Sequence, residues 1–384
     1  MKPTTVQKLL SFAIIMLIPV TAGCIFDDDD KKDKDNNENT GDSSHGKIFI
    51  TTAVWGESGN TAVYNIETSA FTDNLLPISQ DNIAKTDGTY LYILERSGAD
   101  AISKYDPSNI SAGSHIFQFS TGESSNPYDI VFSGSKAYLL LYGSNKIWII
   151  NPEAADEASF KMGEIDISQW ADDDGFAEPT IGFYYNGMVY VVLQRYDQTS
   201  YTAGTSVLIK INPSTDGIVD MNIKTNSIDG LNLIVKNIVS GSLYENLLYL
   251  AGSTYGVSDE GVLKIDLDDL EYSQSKIITE TTAGGNMAGV VVFEDGTGCI
   301  SVYDETYTII IPRYFDIATG SLGSKLPVPD AGGGIVMAGD YLYIGATEYG
   351  NPGMYIVDTL SNETVGEMFP TELQPSSIVY IGNN

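Results

Sequence analysis

The unit that decides the fold is clearest in residues 335–358, which read IVMAGDYLYIGATEYGNPGMYIVD. An apolar run around Ile335 leads into the hairpin turn Gly339-Asp340, and the next run is centred on Tyr343. A third run ends at Asp358, an Asx residue suited to bond the backbone of the tight turn that follows. The stretch predicts three strands, named A, B and C, with a fourth strand D after the turn.

This unit recurs seven times between residues 46 and 384. An Asn or Asp ends strand C each time: Asn65, Asp106, Asn151, Asn212, Asp266, Asp316 and Asp358. An aromatic residue lies in strand B of every unit but the sixth, which has Ile300: Phe49, Tyr92, Tyr138, Tyr190, Tyr249 and Tyr343. Repeats of 41 to 61 residues, each with four short strands, predict an all-β protein. The expected fold is a seven-bladed β-propeller of four-stranded antiparallel blades.

The two ends of the repeat region match different strands. Lys47-Ile48-Phe49 corresponds to a strand B, and Ser377-Ile378-Val379-Tyr380 corresponds to a strand A. The C-terminal strand is therefore expected to complete the first blade, which closes the ring and hides sheet edges. The blade rhythm and the Asx column resemble the YVTN-type seven-bladed propellers of bacterial surface and periplasmic proteins over residues 46–384. We expect one monomeric propeller.

The N-terminal residues have the order of a secretory signal. Lys2 and Lys8 are followed by an apolar run from Leu9 to Ile18, which is shorter than the roughly 20 residues that span a bilayer. Ala22-Gly23-Cys24 resembles the lipobox of bacterial lipoproteins. The resemblance implies a signal peptide at 1–23 and a lipidated Cys24, whereas the alternative is a secreted protein with an incidental cysteine.

The segment after Cys24 is predicted to be a disordered acidic spacer at 24–45. Residues 27–45 contain no apolar residue, so they cannot bury enough surface to fold. The lipoprotein resemblance, with Ile25 after the cysteine, implies export and anchoring to the bacterial membrane, with the outer membrane or cell surface favoured.

The whole chain is strongly acidic, with a formal net charge of −31. Such a surface repels nucleic acid, which excludes DNA or RNA as a partner. Acidity of this kind keeps an envelope protein soluble. The second cysteine, Cys299, lies within an apolar strand pattern and is predicted to be a buried, inert thiol.

The B–C and D–A loops of a propeller share one face, and loops on a rigid scaffold usually carry binding sites. The loops at 194–205, 252–261 and 168–179 are long, and aromatic residues recur in this set. The predicted ligand-binding residues are Trp55, Arg96, Tyr142, Trp170, Arg195, Tyr196, Tyr255, Tyr303 and Tyr349.

Two aromatic pairs are expected across the channel mouth, because blades one and seven are neighbours, as are four and five. Trp55 would face Tyr349, and Tyr196 would face Tyr255. The alternative is that the aromatic residues pack between loops and that the arginines pair with local acids such as Glu95 or Asp197. Asp172, Asp173 and Asp174 are candidate calcium ligands. Acidic loops are usually only solvated, and no metal is expected.

Catalytic motifs are scarce in the sequence. There are two histidines, His45 and His115, and no phosphate loop or Gly-x-Ser-x-Gly elbow. The sequence therefore predicts a protein that is not an enzyme and has no cofactor. It predicts a cell-envelope lipoprotein that binds a small molecule, or docks on an envelope transporter or other partner, through its aromatic loop face. Two alternatives stay open: a scaffold for envelope protein assembly, and a propeller hydrolase of the lactonase kind, since related propellers include lactonases.

Overall fold

The computed structural model describes residues 45–222 and 227–382. The predicted signal peptide, Cys24 and nearly all of the spacer lie outside the described residues. Seven antiparallel blade sheets are present, as predicted; five have four strands, and those of blades 4 and 7 have a fifth.

The strands of blades 1 to 3 have the following bounds. Blade 1 contains β1 (Gly46–Val54), β2 (Ser58–Asn65), β3 (Ala70–Thr72) and, from the far end of the chain, β32 (Gln374–Gly382). Blade 2 contains β4 (Asn82–Thr86), β5 (Leu91–Glu95), β6 (Ala101–Tyr105) and β7 (Phe117–Ser120). Blade 3 contains β8 (Pro127–Ser133), β9 (Lys136–Leu141), β10 (Lys146–Ile150) and β11 (Lys161–Asp166).

Blade 4 is the most elaborate. Its sheet contains β12 (Pro179–Tyr185), β13 (Met188–Leu193), β16 (Val207–Asn212), β17 (Gly217–Val219) and β18 (Leu231–Asn232), which also pairs with β16. Between β13 and β16 lies a small separate hairpin of β14 (Tyr196–Asp197) and β15 (Thr202–Ala203). This hairpin occupies the long B–C loop that the sequence placed at 194–205.

The strands of blades 5 to 7 complete the ring. Blade 5 contains β19 (Ile238–Tyr244), β20 (Leu247–Thr254), β21 (Val257–Asp266) and β22 (Gln274–Thr279). Blade 6 contains β23 (Met287–Val292), β24 (Gly298–Tyr303), β25 (Ile310–Phe315) and β26 (Leu322–Lys325). Blade 7 contains β27 (Ile335–Ala338), β28 (Tyr341–Ala346), β29 (Gly353–Asp358), β30 (Glu363–Thr364) and β31 (Phe369–Pro370), which also pairs with β29.

Helices are few and short in the described part of the chain. They are α1 (Glu157–Phe160), α2 (Glu280–Ala283) and one 3-10 turn (Ser168–Trp170). None of these described helices has the length and apolar character needed to cross a membrane. The expectation of a long loop at 252–261 is wrong, because β20 and β21 extend toward each other and leave only Tyr255 and Gly256 between them.

The ring closes through the C-terminal strand, as predicted. Strand β32 pairs antiparallel with β1 from Gly46↔Gly382 to Ala53↔Gln374. The hydroxyl of Ser377 accepts a 2.7 Å bond from the Ala84 backbone of blade 2. The last strand therefore joins the first two blades, and the edge of β1 is covered.

The Asx column is structural in all seven blades. Each side chain accepts a bond from a backbone N–H two or three residues ahead, as Asp106 does from Ser108 at 2.7 Å and Asp358 from Leu360 at 2.9 Å. The same bond is made by Asn65, Asn151, Asn212, Asp266 and Asp316. These residues hold the C–D turns and are not available for ligand binding.

The hydrophobic core lies between neighbouring blades. One cluster packs Tyr138 and Leu140 of blade 3 against Val189 and Ile209 of blade 4. The predicted aromatic column is buried in this way, with Tyr92, Tyr138 and Tyr249 fully inaccessible. Because each blade buries its face on the next, the blades form one rigid ring on which the loops are held.

Polar bonds also link the A strands of neighbouring blades. Lys85 of β4 and Asp129 of β8 form a buried ion pair of 2.6 Å. The other oxygen of Asp129 accepts a 2.9 Å bond from the backbone of Gly182 in β12. A single carboxylate thus ties blades 2, 3 and 4 together directly below the loop face described next.

Candidate functional site

One backbone hydrogen bond is repeated on the B–C and D–A loop face in six blades. A residue at the end of strand B, either within the strand or directly after it, donates its N–H to the carbonyl of the residue just before strand A. The donor and acceptor pairs are Arg96–Asp81, Tyr142–Asn126, Gln194–Glu178, Ser253–Asn237, Tyr303–Asn286 and Gly345–Gly334. The predicted residues Arg96, Tyr142 and Tyr303 therefore occupy equivalent positions at the rim.

The residue before strand A adopts a left-handed backbone in four of these blades. These residues are Asn126, Glu178, Asn237 and Gly334, with φ of 50°, 47°, 47° and 96°. Glycine and asparagine tolerate this conformation, whereas glutamate rarely adopts it. Glu178 of blade 4 is the only one of these four residues that is neither asparagine nor glycine. Backbone strain of this kind persists mainly at functional positions, so its conformation indicates a functional role.

Glu178 is also fully buried, with 0% of its surface exposed. Its Oε2 atom accepts a bond of 3.3 Å from the backbone of Tyr196, and its Oε1 atom has no hydrogen-bond partner among the described residues. Burial raises the pKa of Glu178 from 4.5 to about 8, and the charges of Asp172 and Asp174 add to this effect. An unpartnered carboxyl in such a place is costly to the fold.

Asp172 and Asp174 complete an acidic cluster with Glu178. One carboxylate oxygen from each of the three residues lies within 4.8 Å of the other two. Asp174 accepts backbone bonds from Phe176 at 3.0 Å and Gln198 at 2.9 Å. Oδ1 of Asp172 accepts from the Asp174 backbone at 3.1 Å, and its buried Oδ2 atom has no hydrogen-bond partner in the described part of the chain. Burial, followed by the Asp174 carboxyl, raises the pKa of Asp172.

Arg195 lies against this cluster on the opposite loop. Its backbone is left-handed, with φ of 56°, and Nη1 donates to the carbonyl of Thr205 at 3.1 Å. Its Nε atom is buried without a partner, and none of the ion pairs among residues 45–222 and 227–382 includes it. Its charge lowers the pKa of Glu178, which opposes the effect of burial.

A cleft of about 290 Å³ opens between these two loops. We call it the blade 4 cleft, and its lining residues are Ala171, Asp172, Asp173, Arg195, Asp197, Thr202, Ala203 and Gly204. Tyr196 and Tyr201 lie on the hairpin beside it, half-buried and 62% exposed respectively. The cleft combines carboxylate acceptors and a guanidinium, and two phenol rings lie on the hairpin next to it.

A chain of polar and aromatic contacts runs from blade 2 to blade 4. It gives a structural role to Arg96 and Tyr142, two of the predicted ligand-binding residues. Arg96 is buried and bonds Asp81 through Nε at 2.8 Å, and its guanidinium lies 4.5 Å from the ring centroid of Tyr128. Tyr128 stacks on Tyr142, whose hydroxyl donates to Gln194 at 2.9 Å. The charge of Arg96 is neutralised by Asp81, so it is not free to bind an anion, and its partner is not the Glu95 that the sequence suggested.

The other predicted aromatic residues are dispersed. Trp170 packs against the core between blades 3 and 4. Trp55 is 37% exposed and Tyr349 is 96% exposed. In the described part of the chain, ring contacts join neither Trp55 to Tyr349 nor Tyr196 to Tyr255, so the two expected pairs do not form.

Tyr255 pairs instead with a residue that the sequence analysis missed. Its ring centroid lies 4.6 Å from that of Tyr307, which in turn lies 5.7 Å from Tyr303. Glu178 was missed as well. The signal available for it was its position directly before strand A, where blades 3, 5 and 7 have Asn or Gly.

The structure alters the predicted calcium ligands. Asp172 and Asp174 belong to the acidic cluster, whereas Asp173 does not, and Glu178 takes the third place. Asp173 is exposed at the lip of the cleft.

No protein-family model and no curated protein matches this chain. Solved structures show the fold. A candidate 6-phosphogluconolactonase from Bacteroides uniformis is similar over 88% of this chain and 100% of its own, with a TM-score of 0.59 and 14% identity. A second such protein, from Bacteroides fragilis, is similar over 90% and 100%, with a TM-score of 0.59 and 12% identity.

A third similar structure is the dihydro-haem d1 dehydrogenase NirN in complex with DHE. It matches 87% of this chain and 75% of its own, with a TM-score of 0.54 and 15% identity. These structures establish the propeller fold for the present chain. They also overturn the expectation that the chain is not an enzyme, because propellers of this shape include proteins named as enzymes. Few histidines and no nucleophile motif do not exclude catalysis on this scaffold.

Proposed function

We propose that this protein is an exported bacterial lipoprotein, anchored through Cys24, whose propeller binds a small polyhydroxylated molecule in the blade 4 cleft. The basic and apolar residues before Cys24, together with the lipobox-like Ala22-Gly23-Cys24, support the anchor. The acidic spacer would hold the propeller away from the membrane, at the outer membrane or cell surface.

The observation that carries the ligand proposal is the placement of Arg195 beside Asp172 and Glu178. Arg195 is in no ion pair of the described residues, and it lines the cleft together with the carboxyl groups of Asp172, Asp173 and Asp197. A hydroxyl group both donates and accepts, so it suits a cleft that offers a guanidinium on one wall and carboxylates on the other. A small cleft in which a few polar groups converge is typical of ligand sites.

The hairpin supplies the apolar part of such a site. Tyr196 and Tyr201 present flat, amphipathic rings with few rotatable bonds, which suits the alternating polar and apolar faces of a sugar-like ring. Tyr196 was among the residues predicted from the sequence. Because its backbone N–H also bonds Glu178, a ligand at the hairpin and the buried acid would influence each other.

A second candidate function is the hydrolysis of a lactone. Two similar structures are candidate 6-phosphogluconolactonases, and a sugar lactone is itself polyhydroxylated. In this reaction a cleft carboxylate would take a proton from water while the water oxygen adds to the ring carbonyl. Arg195 would stabilise the resulting oxyanion, and the ring C–O bond would then break with return of the proton to the alkoxide.

Both candidates are tested on the full-length lipoprotein in detergent. Isothermal titration calorimetry with neutral sugars, sugar acids and a sugar lactone measures binding, and a pH-stat records acid release from the lactone. Binding without turnover supports capture alone, turnover supports hydrolysis, and no heat with any of the three classes contradicts the proposal. A crosslinked pull-down from membranes asks in addition whether an envelope transporter or other partner receives the ligand.

A further inference from the structure

We infer that one divalent cation, of the calcium type, binds between the carboxyl groups of Asp172, Asp174 and Glu178. This inference does not depend on the organic ligand proposed above. It concerns a site behind the cleft, formed by the D–A loop that leads into blade 4.

The three carboxyls are close enough to share one ion. One oxygen from each lies within 4.8 Å of the others. Calcium binds oxygen at about 2.3–2.6 Å, so oxygens at this separation reach a common ion with small side-chain movements. Water would complete the coordination, since calcium takes about six to eight oxygen ligands.

Unsatisfied buried atoms point to the same place independently. Glu178 is fully buried. Within residues 45–222 and 227–382, neither its Oε1 atom nor the buried Oδ2 atom of Asp172 has a hydrogen-bond partner. Two orphan carboxylate oxygens in one cluster are rare in folded proteins, because each loses its hydration without compensation. A cation between them would restore the lost interactions.

The remaining oxygens are already held by the backbone. Asp172 accepts from Asp174, Asp174 accepts from Phe176 and Gln198, and Glu178 accepts from Tyr196. Such bonds orient ligand side chains before the ion arrives, which lowers the cost of binding. The loop is therefore organised around the position where its acidic groups converge.

Charge balance favours a divalent ion. Three ionised carboxylates and the guanidinium of Arg195 sum to −2, and no ion pair of residues 45–222 and 227–382 includes any of the three acids. No lysine therefore competes for the position in this part of the chain. An all-oxygen ligand set without Cys or His selects calcium or magnesium over zinc and copper.

Calcium binding by the chelator-stripped full chain tests the inference. Calorimetry and thermal unfolding are followed with calcium alone, without an organic ligand. One tight site and a higher melting temperature are expected, because an ion that binds only the folded state stabilises it. Failure of the proposed organic ligand would leave these results unchanged.

Matched variants locate the site. Glu178→Gln and Asp172→Asn should each lower calcium affinity at least tenfold, whereas Asp173→Asn, on the same loop but outside the cluster, should bind as the wild type does. Asp174→Asn gives a further test if Glu178→Gln does not fold. The inference would be overturned if the wild type has no tight calcium site. It would also be overturned if a tight site persists in these variants, because the acidic spacer would then hold the calcium.

Discussion

The carbonyl of Glu178 accepts a 2.9 Å hydrogen bond from the backbone N–H of Gln194. The same bond recurs in five other blades, and in blades 3, 5 and 6 the acceptor is an asparagine. In blade 4 this structural bond holds a glutamate in a left-handed backbone and in a fully buried position. In blade 4 the loop face thereby combines a strained backbone and a buried carboxyl in one residue.

Replacing Glu178 by Asn should stabilise the cation-free protein. Asparagine is the residue that blades 3 and 5 use here, and it removes both the unpartnered carboxyl and the strain of a glutamate at φ of 47°. We expect Glu178→Asn to raise the free energy of unfolding by about 1 kcal/mol in EDTA. Urea denaturation measures this, and a destabilised variant would contradict the functional explanation of the strain.

The stability of the cation-free protein should fall as the pH rises. Burial, together with the charges of Asp172 and Asp174 and against the opposing charge of Arg195, raises the pKa of Glu178 from 4.5 to about 8. The folded state therefore keeps a proton that the unfolded chain loses, so this contribution is present below about pH 4.5 and is lost by about pH 8. Glu178→Gln should flatten the decline between pH 5 and 9 in EDTA. Parallel curves for the two proteins would show that the carboxyl does not titrate in this way.

The ion pair between Lys85 and Asp129, near the propeller axis, should be essential for the stability of the folded protein. Both residues are buried, so Lys85→Met leaves an uncompensated carboxylate and should cost about 3–5 kcal/mol. The double variant Lys85→Met/Asp129→Asn should recover part of this loss, because Asn still accepts from Gly182. Lys146→Met, which breaks an exposed pair with Asp166, is the control and should leave the urea midpoint almost unchanged.

The thiol of Cys299 should not react in the native protein. Burial raises its pKa to about 12, and only 1% of the residue is exposed. A Cys24→Ser chain treated with a thiol-specific chromogenic reagent at pH 8 should show no reaction until urea unfolds it. Reaction of the folded protein at the rate of a free cysteine would mean that blade 6 opens locally.

The fold could be predicted because its signals are local. Each Asx residue carries its own turn chemistry, and the strand B aromatics repeat at a fixed place in the unit. The closure by β32 followed from the mismatch between the two ends. Spacing could not show how far strands extend, so the turn at Tyr255 was mistaken for a long loop.

The candidate site depends on contacts that no local pattern encodes. Glu178 meets Asp172 only through the path of the loop before blade 4, and Arg96 meets Asp81 across its own blade. The recurrence of aromatic residues pointed to the loop face on which the blade 4 cleft lies, and it included Tyr196. It could not distinguish exposed residues such as Tyr349 from those that pack on another ring, such as Tyr142 on Tyr128.

The proposed function is tested most directly by native mass spectrometry of the full lipoprotein purified from its host membranes. The account predicts a co-purified small polyhydroxylated molecule on the wild type. It should be absent from Arg195→Ala and present on Arg313→Ala, since Arg313 also bonds a backbone carbonyl, that of Gly323 at 2.7 Å, but lies in blade 6. An empty wild-type protein, or equal occupancy in both variants, would contradict a ligand site in the blade 4 cleft.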